Sequence, residues 1–184
     1  MAGLKVITPP AVEPVSLDDI KTQLQIDLSD EIYDDQIIPL IPAARDWCEK
    51  YQNRAYITQT LELALDCWPY CEIKLLRPPL QTVDMIEYGE GASVWDSTNY
   101  IVDNYAFIGR VVRQRGASWP TGTLPTVNGI RVKYVAGYGD DTESVPSTIK
   151  QAITLLCVHW FNNGLCDPPK AVYALLNLER VIPV

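Results

Sequence analysis

The residue best suited to acid–base chemistry in this sequence is His159, the only histidine of the chain. A catalytic histidine needs a group that orients it and a nucleophile or substrate within hydrogen-bond reach. No GxSxG or HxxE pattern lies near it. We therefore interpret His159 as a packing or hydrogen-bonding residue, and we expect no catalytic residue and no enzyme activity.

The cysteines could supply metal or thiol chemistry. Cys67 and Cys71 flank the sequence WPY. This spacing could hold a metal ion, but no second pair of cysteine or histidine residues completes a tetrahedral site, so we expect no metal. The cysteine count of five is odd, and the N-terminus lacks the apolar core of a signal peptide. Both observations favour reduced packing cysteines in a chain made in a cytosol.

Motifs for phosphate or calcium are also absent from the sequence. GYGDD and YGEG contain glycines but lack the lysine and the helix start that phosphate binding requires. The acidic run DLSDEIYDDQ lacks the central glycine and the final glutamate of an EF-hand loop. We therefore expect no cofactor.

The charge distribution argues against nucleic-acid binding. The net charge is −8, and residues 1–36 hold eight acidic and two basic residues, a net charge of −6. Such a surface repels phosphate, so we expect no specific DNA binding. Arg110, Arg113 and Arg115 form one small basic cluster, which suits either a solvated strand edge or a phosphate site. No apolar run approaches the ~20 residues that span a bilayer, so we expect no membrane partner.

Helices are predicted near both ends of the chain. Ser16 and Asp19 fit a capping box at the start of LDDIKTQL. Residues 34–52 keep one apolar face, with Pro39 and Pro42 on the opposite face, so we predict a short turn followed by a restart at Pro39. The remaining helical patterns are VPSTIKQAITLLCVHWFNN (residues 145–163) and AVYALLNLER.

Between the helices the apolar period changes from 3.6 to 2, which indicates strands. We predict an antiparallel β-rich segment at residues 57–138, between a helical part at 1–56 and a C-terminal part at 139–184. The fold class is therefore α+β. The side chains predicted to be buried are Leu61, Leu63, Leu65, Ile73, Leu75, Ile130 and Val132. Those predicted to point outward are Thr60, Glu62, Lys74, Arg131 and Lys133.

The helix at 145–163 is apolar around more of its circumference than a core helix needs. Beyond its core face, a second face carries Leu155, Val158 and Phe161. Either a second layer of this chain, such as AVYALL, or another subunit covers that face. Burial of such a side chain is worth ~1.5–3 kcal/mol.

Three segments, in order, resemble those of one protein family. AARDWCEKYQNRAYITQTLEL is similar to a helix that runs through a Glu and an Arg into the first strand. WPYCEIKLLRPPLQTVDMIEY resembles its Trp-Pro, apolar strand, double proline and strand ending in Tyr. VKYVAGYG and the following VPSTIKQAITLLCVHWFNN resemble its Ala-Gly-Tyr turn and apolar last helix. The family is the head–tail connector, or head-completion adaptor, of long-tailed bacteriophages and prophages.

The resemblance implies a structural virion protein. Adaptors of this kind dock as a ring of about twelve copies beneath the portal protein, extend the DNA channel and present a surface to the next stopper or tail protein. The implied fold is a bundle of helices from both chain ends with the β-rich segment inserted. The implied location is the head–tail connector of the virion, after assembly in the host cytoplasm, with DNA passing through without specific binding.

The resemblance also suggests candidate surfaces. We expect the second face of the long helix, with Leu155, Val158 and Phe161, to contact the neighbouring subunit. We expect the apolar tail DPPKAVYALLNLERVIPV to be a portal-docking arm that becomes ordered on binding. Its candidate docking residues are Ala171, Val172, Tyr173, Leu175, Leu176 and Leu178.

A β-sandwich binding module of a phage-like particle is the alternative interpretation. Such a module would recognise carbohydrate or a host surface, and it would use the aromatic content of five Trp and ten Tyr. It would leave the helices at both ends without a role. A shallow groove lined by aromatic side chains would favour this alternative.

Overall fold

A computed structural model describes residues 2–182 and shows an α+β chain that divides into two compact units. The first, called the β unit, runs up to Pro10 and continues over residues 58–137. The second, called the helical unit, comprises residues 11–57 and the residues from 138 onward. Met1, Pro183 and Val184 lie outside the described residues.

The helices of the helical unit are α1 (Leu17–Leu24), α2 (Asp34–Ile37), α3 (Leu40–Gln52), α4 (Ser147–Asn163) and α5 (Lys170–Asn177). The predicted interruption at the prolines is confirmed, because α2 ends before Pro39 and α3 begins directly after it. Pro42 lies in the first turn of α3, where backbone N–H groups have no acceptor within the helix. A proline is therefore tolerated there.

The start of α1 is a capping box, as predicted. Ser16 Oγ accepts a hydrogen bond from the backbone N–H of Asp19 at 3.1 Å, and Asp19 Oδ2 accepts one from the Ser16 N–H at 2.8 Å. These bonds satisfy two backbone donors that the first turn of a helix would otherwise leave unpaired. The backbone and side-chain hydrogen bonds from Ser16 lower the pKa of Asp19 below its ordinary value of 3.8.

Loss of this cap should destabilise the helical unit measurably. For Ser16→Ala we expect a loss of about 1 kcal/mol in the free energy of unfolding at neutral pH. The folded state lowers the pKa of Asp19, so the carboxylate contributes stability above its ordinary pKa of 3.8 and loses it as the pH falls through the lower folded value. Urea unfolding at neutral and acid pH should therefore show the difference between wild type and variant shrinking in acid. Ser118→Ala, at an exposed coil residue, is the control, and an equal loss in both variants would contradict the cap's role.

The apolar faces of these helices meet in one core. Burial raises the pKa of the Cys157 thiol to about 12 and also raises the pKa of Cys48, so both remain protonated packing residues. The most deeply buried members of the core are Ile20, Ile37, Ala44, Cys48, Tyr56, Ala152, Ile153, Leu156, Cys157, Val172 and Leu176.

The strands of the β unit are β1 (Ala2–Thr8), β2 (Gln59–Leu65), β3 (Glu72–Lys74), β4 (Leu80–Tyr88), β5 (Ser93–Val94), β6 (Tyr100–Asp103), β7 (Arg110–Arg113) and β8 (Ile130–Ala136). They form one sheet with the order β1-β2-β8-β4-β5 and a second with the order β3-β7-β6. All of the pairings between these strands are antiparallel.

Residues 2–8 depart from the predicted organisation. They were predicted to belong to the helical part at 1–56, but they form β1, which pairs with β2 so that Leu4 lies opposite Leu63. Strand β1 lies at the edge of its sheet, and Val6 and Ile7 are both 40% exposed. Because neither face of an exposed edge strand is fully buried, its sequence, AGLKVIT, shows no alternating pattern.

The predicted register of the central strands is confirmed. Leu61, Leu63, Ile130 and Val132 are at most 1% exposed, and Leu63 lies opposite Val132 across the β2–β8 pair. Ile73 and Leu75 are buried as well. The predicted outward residues are half-buried or exposed. Leu65 is the exception among the inward residues, because it is the last residue of β2 and is only half-buried.

Candidate functional site

The second apolar face of α4 is largely covered by the chain itself. Leu155 and Phe161 are half-buried and pack against the helical core. The ring of Tyr33 meets that of Phe161 edge-on, with centroids 5.6 Å apart. Helix α5 packs along α4. Of the two explanations for this face, a second layer of the chain accounts for Leu155 and Phe161, while half-buried Val158 stays a candidate for subunit contact.

The predicted docking residues lie on α5 or directly after it, and some are packed against the helical unit whereas others are exposed. Val172 and Leu176 are fully buried in the helical core, and Leu175 is half-buried against it. Tyr173 meets Trp47 edge-on at 5.6 Å. The side chains exposed at the surface are those of Ala171 and Leu178.

Hydrogen bonds fix the segment after α5 to the end of α3. Gln52 Nε2 donates to the carbonyl of Leu176 at 2.6 Å, and the N–H of Val181 donates back to the carbonyl of Gln52 at 2.9 Å. Asn53 Nδ2 donates to the carbonyl of Val181 at 2.9 Å. The prediction of an arm that becomes ordered only on binding is therefore corrected. The amphipathic sequence of α5 already has its apolar partners within the helical unit.

A polar network ties the Ala-Gly-Tyr turn to the same segment. Arg54 Nη1 donates to Tyr138 Oη at 2.9 Å, and Tyr138 Oη donates to Glu179 Oε2 at 2.8 Å. Arg54 Nε also donates to the carbonyl of Glu179 at 2.7 Å. Burial and the Glu179 carboxylate raise the pKa of Tyr138 above its ordinary value, so its hydroxyl remains a donor at neutral pH. Arg54 and Tyr138 belong to the sequence segments that resemble the connector family.

Glu49, in the first of those segments, is only 1% exposed. Its Oε1 accepts from the N–H of Tyr56 at 2.8 Å, and its Oε2 accepts from Arg45 Nη1 at 3.1 Å. Arg45 Nε donates to Glu13 Oε2 at 2.7 Å. This carboxylate therefore fixes the connection that leaves α3. Glu49 is the glutamate of the segment that resembles the connector family, but its burial and its partners were not predicted, because spacing alone does not show that a charged residue is buried.

His159 makes hydrogen bonds consistent with a structural role. Its Nε2 lies 3.1 Å from the carbonyl of Asp167 and 3.1 Å from Cys166 Sγ, and Asn163 Nδ2 lies 3.2 Å from its Nδ1. Because the Asn163 amide nitrogen also donates to the His159 carbonyl at 3.0 Å, Nδ1 is assigned as an acceptor and the proton to Nε2. A nitrogen that already donates to a carbonyl is not placed to take a proton from Cys166.

Three tryptophans of the β unit pack against one another. Trp68 stacks on Trp119 with centroids 5.0 Å apart and planes 13° apart, and Trp95 lies 5.1 Å from Trp119. The guanidinium of Arg113 lies 5.3 Å from the centre of the Trp119 ring. Carbohydrate recognition needs aromatic faces open to a ligand, but these faces contact each other and Arg113. The cluster therefore lends no support to the β-sandwich binding module.

Arg110, the first residue of the basic cluster, is neutralised by two carboxylates. Arg110 pairs with Glu72 at 2.7 Å and with Asp103 at 2.8 Å, and its hydrogen bond holds the pKa of Asp103 below the ordinary value. These ion pairs favour a paired strand residue over a phosphate site.

The β unit holds eight acidic and eight basic residues, whereas the helical unit holds 15 acidic and seven basic residues, a net charge of −8. The whole net charge of the chain therefore lies in the helical unit.

Within residues 2–182, no helix combines the length and the apolar character needed to cross a membrane. Nor does this part of the chain contain a group of three His, Cys, Asp or Glu side chains that could hold a metal ion.

Comparison with known proteins identifies the fold. The sequence matches no family model, and no curated protein matches it. Among solved structures it is similar to a chain of the virion of the native gene transfer agent particle, at 19% identity and a TM-score of 0.80, over 98% of this chain and 96% of that chain.

Two structures of the particle's neck also contain a similar chain. The neck of the empty gene transfer agent particle, computed with C6 symmetry, matches at 19% identity and a TM-score of 0.82, over 99% of this chain and 97% of that chain. The neck of the native particle, computed with C12 symmetry, matches at 20% identity and a TM-score of 0.75, over the same shares of the two chains. At these identities the likeness shows that the fold is shared.

Proposed function

We propose that this chain is a head–tail connector of a phage-like particle, an adaptor that joins the DNA-filled head to the tail. The observation that carries this proposal is the likeness of at least 98% of the chain to chains in gene transfer agent virions and necks. The sequence segments that resemble the adaptor family support the same function from an independent direction.

The connector acts as a ring through which DNA passes. The similar neck structures were computed with C6 and C12 symmetry, which supports a ring of about twelve copies of this chain beneath the portal. The helical unit carries the whole net charge of −8. If this unit lines the channel, it repels the DNA phosphates, and the DNA slides past without specific binding.

The proposed partners are the portal protein on one side and a stopper or tail protein on the other. We interpret the helical unit as the bundle that makes these contacts, with the β unit inserted into it. The part of the predicted docking segment that a partner can reach includes Ala171, on the exposed side of α5, and Leu178, directly after the helix. This role needs neither catalysis nor a cofactor, and the protein serves in the virion after assembly in the host cytoplasm.

Deleting the gene for this chain from the element that encodes it tests the proposal. The expected result is DNA-filled heads without tails, together with free tails, because the junction between them is missing. Electron microscopy of the particles measures this outcome directly, and a plasmid copy of the gene should restore tailed particles. Normal tailed particles from the deletion strain would contradict the connector function.

A further inference from the structure

Strand β1 belongs to the β unit, whereas the chain that follows it is fixed to the helical unit. Glu13 Oε2 accepts a hydrogen bond from Arg45 Nε at 2.7 Å, and Val15 is buried in the helical core. The strand is connected to this fixed segment by residues 9–12, called the linker, most of which are exposed. The first two residues of the linker are prolines, which lack a backbone N–H and favour an extended chain.

Strand β1 contributes little to the core of the β unit. It lies at the edge of its sheet, and among the strands that the structure describes it pairs with β2 alone. The side chains from Gly3 to Thr8 are half-buried or exposed, whereas the other strands of this sheet supply buried residues such as Leu61, Ile86 and Val132. Detaching β1 therefore breaks one strand pair but moves no buried side chain of residues 3–8.

The edge of β2 is nevertheless specific for the sequence of β1. Without a strand beside it, backbone groups along that edge would lose their partners in the sheet. In the observed register Leu4 lies opposite Leu63, whose side chain is 1% exposed. Lys5 lies opposite Glu62. Directly opposite residues have Cβ atoms ~5 Å apart, so one pair is apolar and the other has opposite charges. A β1 strand from any copy of the chain fits this edge equally well.

The linker limits which copy can supply the strand. An extended chain spans at most ~3.6 Å per residue, so the five steps from Thr8 to Glu13 cover at most ~18 Å. The strand can therefore reach only a copy in direct contact, which in a ring is the next subunit. A short linker that contains two adjacent prolines is stiff, and short, stiff linkers favour the exchange of an element between copies.

We propose that β1 of each copy leaves its own sheet in the assembled ring and pairs with β2 of the next copy. This inference rests on the proposed connector function, for which it supplies the contact between ring subunits. The exchanged pair keeps the register and the hydrogen bonds of the pair within one chain, so exchange costs little once two copies are in contact. Each copy donates one strand and accepts one, so the contact is head-to-tail and continues around a closed ring.

Paired cysteines report which copy supplies the β1 strand beside each β2. Lys5→Cys and Glu62→Cys lie directly opposite, so oxidation joins them wherever the two strands pair. The exposed cysteines of the chain, Cys67, Cys71 and Cys166, are first replaced by serine. Oxidation of intact particles with copper phenanthroline should then give a ladder of covalent oligomers on a non-reducing gel. Dilute isolated subunits should give only the disulfide within one chain, which shows that the cysteine pair can react.

Glu62→Cys combined with Lys133→Cys is the matched control. Lys133 lies opposite Glu62 on the other side of β2, in β8, which is an inner strand of the sheet and is not exchanged. Oxidation of this variant in particles should therefore give monomers with a disulfide within the chain. None of the three substituted side chains is buried, so both variants should keep the far-UV circular dichroism of the wild type.

The inference is overturned if the Lys5→Cys, Glu62→Cys chain in particles runs as a monomer while the isolated subunit is oxidised. It is also overturned if the control gives the same ladder. Its failure is separate from that of the connector function. Particles that contain the chain but only disulfides within one chain reject the exchange alone, whereas normal tailed particles from the deletion strain reject the function itself.

Discussion

Replacing Leu176 with alanine should lower the free energy of unfolding of the helical unit by about 2–5 kcal/mol. Leu176 is fully buried in α5 and belongs to the same core as Ile153 of α4. The substitution removes buried methyl groups and leaves a cavity that close-packed neighbours fill only in part. Urea unfolding followed by far-UV circular dichroism measures the loss, because the helices dominate that signal.

Leu178→Ala is the matched control, because it makes the same change two residues further along at a side chain that is 72% exposed. It should change stability by less than about 0.5 kcal/mol. Equal small losses in the two variants would mean that α5 is a loosely attached arm, as the sequence first suggested. For the same reason, removal of residues 167–184 should destabilise the helical unit in addition to any effect on attachment.

The elements that could be predicted from the sequence are those in which the order of apolar and polar residues follows their burial, or in which local bonding sets a helix end. The alternation in β2 and β8 is strict because one face of the sheet is buried, so Leu61, Leu63 and Val132 could be assigned correctly. The capping box of α1 and the break at Pro39 follow from local hydrogen bonding and sterics, which a short window of sequence contains.

Other features depend on partners that are distant in the sequence. Strand β1 forms because β2, more than fifty residues away, offers it a free edge. The C-terminal segment with α5 is part of the core because it is hydrogen-bonded to Gln52 and packs against α4. Its sequence alone shows only that it is apolar and short.

Buried charge is the feature least accessible to sequence analysis, and helix α3 provides an internal comparison. It carries two ion pairs with the same spacing, Arg45–Glu49 at 3.1 Å and Asp46–Lys50 at 2.6 Å. The side chain of Glu49 is 1% exposed, whereas Asp46 and Lys50 are 47% and 64% exposed. Water solvates the second pair and is excluded from the carboxylate of the first, so the two pairs should differ greatly in their contribution to stability.

Glu49→Ala should therefore destabilise the helical unit by about 3–5 kcal/mol, because it removes one partner from a buried charged network. The N–H of Tyr56 loses its acceptor, and Arg45, whose side chain is 13% exposed, keeps its ion pair with Glu13. Glu49→Gln should cost less, since its amide oxygen can still accept from Tyr56. Asp46→Ala should cost at most about 1 kcal/mol, and added salt should reduce that loss further. Denaturant unfolding of the three variants at low and high salt distinguishes these cases. Similar losses for Glu49→Ala and Asp46→Ala would show that Glu49 does not fix the residues that follow α3.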